Sequence, residues 1–112
     1  MATRFTPVSG VNALDDLLQR SMTETVILFN HDPWCPISGR ALKQMEQLDE
    51  DVTLVDVSRE KALTRLIQSR TGVRHESPQI IILRDGQSAW SATHFAITAD
   101  AVLDAMTSKI DR

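Results

Sequence analysis

Apolar residues along this chain come in two patterns, short unbroken runs and stripes at helical spacing. Val11, Leu14, Leu17 and Leu18 recur at helical intervals, and Val26-Ile27-Leu28-Phe29 follows as a continuous run suited to a strand covered on both faces. From Pro36 to about Glu50, Ile37, Ala41, Met45 and Leu48 share one stripe, and residues 52 to 57 are rich in β-branched side chains. The pattern predicts a helix and then a β-α-β unit, whose crossover sets strands 26 to 29 and 52 to 57 side by side and parallel. A further helix is predicted from about Glu60 to Thr71. Its inward stripe is Ala62, Leu63, Leu66 and Ile67, and Gly72 stands where a left-handed cap would stop it.

Beyond that helix, Gln79 to Leu83 reads as an Ile-rich strand, Asp85-Gly86 as a two-residue turn, and residues 87 to 93 as the antiparallel return. Thr98 is placed to cap a last helix with Val102, Leu103, Met106 and Ile110 on one face. Repeats, linkers and low-complexity tracts are absent from the sequence. The expectation is a single α/β domain over residues 1–112, with a central mixed four-stranded sheet. The order helix, β-α-β, helix, β-hairpin, helix is that of a thioredoxin-like fold with an extra N-terminal helix.

Composition narrows the setting. With 112 residues, 42% of them hydrophobic, the chain can bury a core without covalent staples; a domain of this size hides about two-thirds of its unfolded surface. One cysteine excludes an intramolecular disulfide, and the opening Met-Ala-Thr-Arg-Phe-Thr-Pro lacks the apolar stretch of a secretory signal, so a reducing cytoplasm is the expected compartment. A net charge of -3, from 12 basic and 15 acidic residues spread along the chain, offers no patch for nucleic acid or an anionic membrane surface. No apolar run approaches the ~18 residues of a membrane span.

Candidate chemistry concentrates in Asn30-His31-Asp32-Pro33-Trp34-Cys35-Pro36-Ile37-Ser38, where the first predicted strand gives way to a helix. A lone cysteine is more often a buried, inert side chain. Cys35, however, follows Trp34 and precedes Pro36 in a strand-to-helix turn, a place that suits a reactive thiol better than a core residue. Pro36 fits the first helical position, where its missing N–H costs nothing. The helix end favours thiolate over thiol. Ser38, three residues on, occupies the position of the second, resolving cysteine of thioredoxins; its hydroxyl can hydrogen-bond a thiolate but cannot displace a bound partner. His31 would raise the thiolate fraction if protonated, against the plainer reading of a solvated loop histidine.

A second signal lies in Val73-Arg74-His75-Glu76-Ser77-Pro78-Gln79. In the thioredoxin order, a cis bond between Ser77 and Pro78 would form the wall opposite Cys35, with Ser77 offering backbone hydrogen bonds to an extended thiol ligand; without that context Pro78 is an ordinary trans strand-edge proline. Trp34 is expected on the ligand-contacting lip, Trp90 in core or rim packing, and Arg40 on a solvated helix face. His75 and His94 can approach from the proline loop and the hairpin end, but they show no metal-ligand spacing and no metal site is expected.

These motifs resemble the monothiol bacilliredoxins, thioredoxin-like proteins of the bacillithiol system with a Cys-Pro-Ile-Ser motif. Four stretches carry the resemblance: Phe29-x-His31, Cys35-Pro36-Ile37-Ser38, His75-Glu76-Ser77-Pro78-Gln79, and Trp90 to His94 with Ile97-Thr98 beyond. Asp32-Pro33-Trp34 departs from the small hydroxyl residues that commonly precede the family's cysteine and is closer to a thioredoxin entry. The resemblance implies a reductase that takes bacillithiol, a low-molecular-weight thiol, off S-thiolated client proteins. Cys35 is then the catalytic nucleophile, supported by Pro36, Ser38 and His31, with Trp34, Ile37, Ser77 and Pro78 contacting the thiol. It also implies no bound cofactor, bacillithiol as co-substrate, a regenerating reductase, and a monomer or weak dimer. Two alternatives stand beside it. A redox-responsive thiol-binding module would form the adduct without turnover. A monothiol-glutaredoxin-like iron-sulfur carrier would need Cys-Gly-Phe-Ser, which is absent. An arsenate-reductase or phosphatase loop needs five residues between Cys and Arg, whereas Arg40 follows Cys35 after only four.

Overall fold

Unbroken apolar runs become the central strands of a sheet packed on both faces. The structure, a computed structural model, describes residues 2–107. In chain order it contains β1 (Arg4–Pro7), α1 (Asn12–Arg20), β2 (Val26–His31), α2 (Pro36–Met45), β3 (Asp51–Asp56), α3 (Lys61–Thr71), β4 (Gln79–Arg84), β5 (Gln87–Thr93), a short 3-10 turn (His94–Ala96) and α4 (Ala99–Thr107). The strands form one five-stranded mixed sheet in the order β1-β3-β2-β4-β5, with β2 parallel to β3 and antiparallel to β4.

Alternation along the central strands divides the core in two. Ile27 and Phe29 of β2, with Ile80 and Ile82 of β4, meet Ala41 and Met45 of α2 and Val102 and Ala105 of α4. Val26, Leu28, Ile81 and Leu83 face the other way, onto Leu14 and Leu17 of α1 and Leu63 and Ile67 of α3. The result is a three-layer α/β/α arrangement. Each of these Leu and Ile side chains contributes about 1.5–3 kcal/mol on burial.

The sheet has five strands where the sequence suggested four. Phe5 is the sole core side chain of β1, packed against the α2–α4 side, and the remainder of the strand is exposed. Such a segment carries no readable alternation. It is an edge strand that pairs parallel with β3, Arg4 opposite Asp51 through Pro7 opposite Leu54, and Pro7 is tolerated there because an edge position does not need its N–H.

Other boundaries differ for local reasons. α2 ends at Met45 rather than near Glu50, and Asp49, at a φ of 60°, turns the chain into β3 while Leu48 stays buried beyond the helix. Val11 is the N-cap of α1 and is exposed, so it leaves the apolar stripe to Leu14 and Leu17. Asp85 and Gly86 both take positive φ, 57° and 79°, as a tight hairpin turn of matched twist requires. Thr98 accepts a hydrogen bond from Ala101 N–H at 3.1 Å and caps α4. Ile110 lies outside the described residues. No helix among the described residues is long and apolar enough to cross a membrane.

Candidate functional site

Parallel β2 and antiparallel β4 place the C-terminal end of one beside the N-terminal end of the other, with Asn30 opposite Gln79. The segment leaving β2 and the segment entering β4 therefore meet at one end of the sheet. The first carries Cys35, the second Ser77 and Pro78, whose joining peptide is cis. A buried amide pair ties them together: Asn30 Nδ2 donates to Gln79 Oε1 at 3.0 Å, and Gln79 Nε2 donates onward to the carbonyl of Arg74 at 2.9 Å. His94, at the end of β5, anchors the loop from the far side through its backbone N–H, which donates to the Pro78 carbonyl at 3.1 Å.

Cys35 is the N-cap of α2. Its backbone is extended, φ −108° and ψ 122°, its N–H closes a turn on the Asp32 carbonyl at 3.1 Å, and its carbonyl accepts the helical bond from Gly39 at 3.0 Å. Pro36 takes the first helical position, where its ring is already in helical φ. The thiol is free, half-buried, and makes no capping hydrogen bond.

The three residues before the cysteine are stitched down by side chains. Asp32 Oδ1 accepts the Trp34 N–H at 3.0 Å, while the Asp32 N–H donates to Ser38 Oγ at 2.9 Å. The same Ser38 oxygen lies 2.7 Å from His31 Nδ1. Either ring tautomer satisfies that contact, because the hydroxyl keeps a proton to give and a second lone pair to receive with. Ser38 is fully buried. Its hydroxyl thus braces the entry loop instead of capping the sulfur, a role that its spacing from Cys35 does not disclose.

His31 also differs from the loop histidine of the sequence reading. It is the last residue of β2, nearly buried, with its ring centroid 5.1 Å from that of Phe29. Burial pushes its pKa below the usual imidazole value, with Asp56 and Asp32 pulling the other way. The ring is therefore neutral near pH 7, and it supports the site as an anchor for Ser38 rather than as a positive charge. Trp34 projects into solvent, 83% exposed, and Ile37 is half-buried on the first turn of α2. Arg40 is engaged elsewhere, its guanidinium 5.3 Å from the Phe95 ring centroid and hydrogen-bonded to the Ile97 carbonyl. Trp90 packs against the core from β5.

A groove of about 510 Å³ opens beside this end of the sheet, between Trp34 and Asp32 on one side and Lys61, Thr64 and Arg65 of α3 on the other, with His75 and Ser77 in its wall. Sequence reasoning named Trp34, His75 and Ser77 but not the two cations. Lys61 and Arg65 sit one helical turn apart, a signal that reads equally as an ordinary solvated helix face. Among the described residues, no group of three or more His, Cys, Asp and Glu side chains is placed to hold a metal ion.

A single cysteine at the N-cap of the helix after the central strand, with a cis-proline loop at the same sheet end, defines a thioredoxin-fold thiol redox protein. Comparison with known proteins agrees: a candidate oxidoreductase with a thioredoxin fold superposes with a TM-score of 0.83 at 26% identity, over 90% of this chain and 92% of that one. A point mutant of thioredoxin from Halobacterium salinarum (TM-score 0.70, 24% identity, 97% and 93% covered) shares the fold. So does thioredoxin from Trypanosoma brucei brucei (TM-score 0.76, 13% identity, 96% and 92% covered). Residues 6–102 match the family described as monothiol bacilliredoxin BrxC, and the chain belongs to that family.

Proposed function

We propose that the protein is a monothiol thiol-disulfide oxidoreductase that removes bacillithiol from S-thiolated client proteins in the cytoplasm. The observation that supports it best is that Cys35, the sole cysteine of the chain, is the N-cap of α2, while the position three residues on, where a resolving thiol would stand, holds the buried Ser38. The Cys35 thiolate attacks the bacillithiol-derived sulfur of a client's mixed disulfide. A Cys35–bacillithiol disulfide forms, the client–bacillithiol bond breaks, and the client departs as its thiolate and takes up a proton from water. With no second thiol in the chain, the cycle halts at this adduct until an external thiol or a reductase attacks it.

The test is to incubate the protein separately with bacillithiol disulfide and glutathione disulfide and to follow adduct mass and rate. One added thiol per chain, faster from bacillithiol, is the expected result. Cys35→Ser should form no adduct and release no client thiol. Equal rates from the two disulfides would remove bacillithiol from the assignment, and adduct formation without client turnover would leave a thiol-responsive binding module.

A further inference from the structure

Of the two Trp and three Phe residues in the chain, only Trp34 and Phe95 are exposed, and both lie at the Cys35 end of the sheet. Trp34 immediately precedes the nucleophile. Phe95, 63% exposed, stands on the α2 side of the sheet, away from α3. Its place is fixed from two directions. His94 takes a left-handed φ of 54°, uncommon outside glycine, and turns the chain out of β5 while its N–H holds the Pro78 carbonyl. Arg40 holds the ring itself, with its guanidinium over the Phe95 face at 5.3 Å and Nη1 donating to the Ile97 carbonyl at 3.4 Å. An aromatic ring left in water yet tethered in one position is pre-organised for contact. The charge around it has one sign, because α2 carries Arg40 and Lys43 and no acid from Pro36 to Met45. Pro36, Arg40 and Lys43 are exposed at spacings of four and three residues, so they share one helix face. Neither cation makes an ion pair among the described residues. In a chain of net charge -3 this is a local positive surface.

We infer that Phe95 and Arg40 form a docking surface for the client polypeptide, and that it selects an extended segment with a large apolar side chain and a carboxylate close to the thiolated cysteine. The inference rests on the proposed exchange at Cys35 and specifies the clients that this exchange serves. Arg40 already covers one face of the Phe95 ring, and an apolar client side chain covers exposed ring surface that remains. The client carboxylate gives Arg40 the charged partner that the chain itself does not supply, with Lys43 further along the same face. Helix geometry sets the spacing. Arg40 follows the N-cap Cys35 by five residues, about 7.5 Å along the axis. An extended client segment covers that length in about two or three residues. A second copy of this chain is the poorer occupant, since a two-fold contact would set Arg40 and Lys43 of one copy against the same cations of the other.

The experiment measures, on the full chain, the second-order rate at which peptide thiols are released from mixed disulfides with bacillithiol. In the first peptide Leu stands two residues and Glu three residues from the single cysteine on either side; in the second all four are Ser; in the third each Glu is Lys. Wild type should release the first about tenfold faster than either of the others. Phe95→Ser should bring the first and second peptides to within about threefold of each other. The same variant should react with the small bis(2-hydroxyethyl) disulfide within about twofold of wild type, because that molecule does not extend to Phe95. Arg40→Glu should reverse the order of the first and third peptides, which loosened packing of the turn would not do, and Arg40→Lys should keep it. Arg4→Glu makes the same charge change at the distant β1 edge and should leave the order as in wild type. A wild type that releases all three peptides alike, or none of them while still forming the small-disulfide adduct, overturns the inference and leaves exchange at Cys35 intact. So does a preference that survives Phe95→Ser and Arg40→Glu. A wild-type dimer in sedimentation that Phe95→Ser dissolves assigns the face to a second copy and overturns the inference as well. If neither the peptides nor the small disulfide place an adduct on Cys35, the exchange reading fails, and this inference with it.

Discussion

Ser38→Ala is the most informative single change in the site, because it removes one atom that two buried groups share. Ser38 Oγ accepts the Asp32 N–H at 2.9 Å and contacts His31 Nδ1 at 2.7 Å, and both Ser38 and His31 are buried. Losing the oxygen leaves the imidazole nitrogen without a partner in a region that water reaches poorly. Leaving such a group unsatisfied costs about 1–3 kcal/mol, and the Asp32 N–H, which is only part-buried, adds a contribution at the low end, for a total of about 2–4 kcal/mol. In a domain of this size that is a fall in Tm of about 10–20 °C. Chemical denaturation of wild type, Ser38→Ala, His31→Phe and the double variant closes a cycle. The expected coupling between the two positions is at least about 1 kcal/mol, because His31→Phe removes the nitrogen that Ser38→Ala orphans. A Ser38→Ala loss below about 0.5 kcal/mol, or additive single effects, would refute the claim that this hydroxyl braces the loop.

Three further outcomes follow from the same geometry. Ser38→Cys should shorten the life of the Cys35 adduct, since a thiol one helical turn away can attack it and expel the small thiol; time-resolved intact mass checks this, and an adduct that persists unchanged argues against it. Burial lowers the pKa of His31, against Asp56 and Asp32, and that of His75, against Glu76 and with Lys61. The unfolded chain therefore takes up protons below about pH 6.5 that the folded chain refuses, so denaturation midpoints should drop between about pH 7.5 and 5.5 and change little above that window; a midpoint that rises on acidification contradicts it. Gln79→Ala strips Asn30 Nδ2 and the Arg74 carbonyl of their buried partner, so it should cost about 2–4 kcal/mol and speed amide exchange at residues 74 to 77, with unchanged exchange there counting against the bridge.

The fold was legible wherever burial dictated residue type. Val26 to Phe29 and Ile80 to Leu83 sit with both faces covered and so contain nothing but apolar side chains, and Asp85-Gly86 needs the backbone freedom that its sequence advertises. β1 was not legible, because an exposed edge strand is held by main-chain bonds that leave no trace in side-chain pattern. In the site, Cys35, Pro36 and the Ser77–Pro78 loop could be located from motif spacing alone. The seat of Ser38 could not: a serine near a helix start ordinarily faces water, and its burial here depends on β2 continuing through Asn30 and His31, two polar residues that end the apolar run on paper but not the strand. Lys61 and Arg65 were invisible for a related reason, since only the tertiary fold brings the start of α3 beside Trp34.

The strand order also bears on how the site comes into being. Cys35 and β2 belong to the first third of the chain, whereas β4, which lies next to β2 in the sheet and follows the Ser77–Pro78 loop, belongs to the last third. The amide pair that ties the two segments together, Asn30 with Gln79, spans 49 positions of sequence. Domains fold as units. The end of the sheet that carries Cys35 is therefore a product of the closed domain and of no shorter stretch of it: a fragment that stops before β4 keeps the cysteine and its helix but has no cis-proline loop at that end.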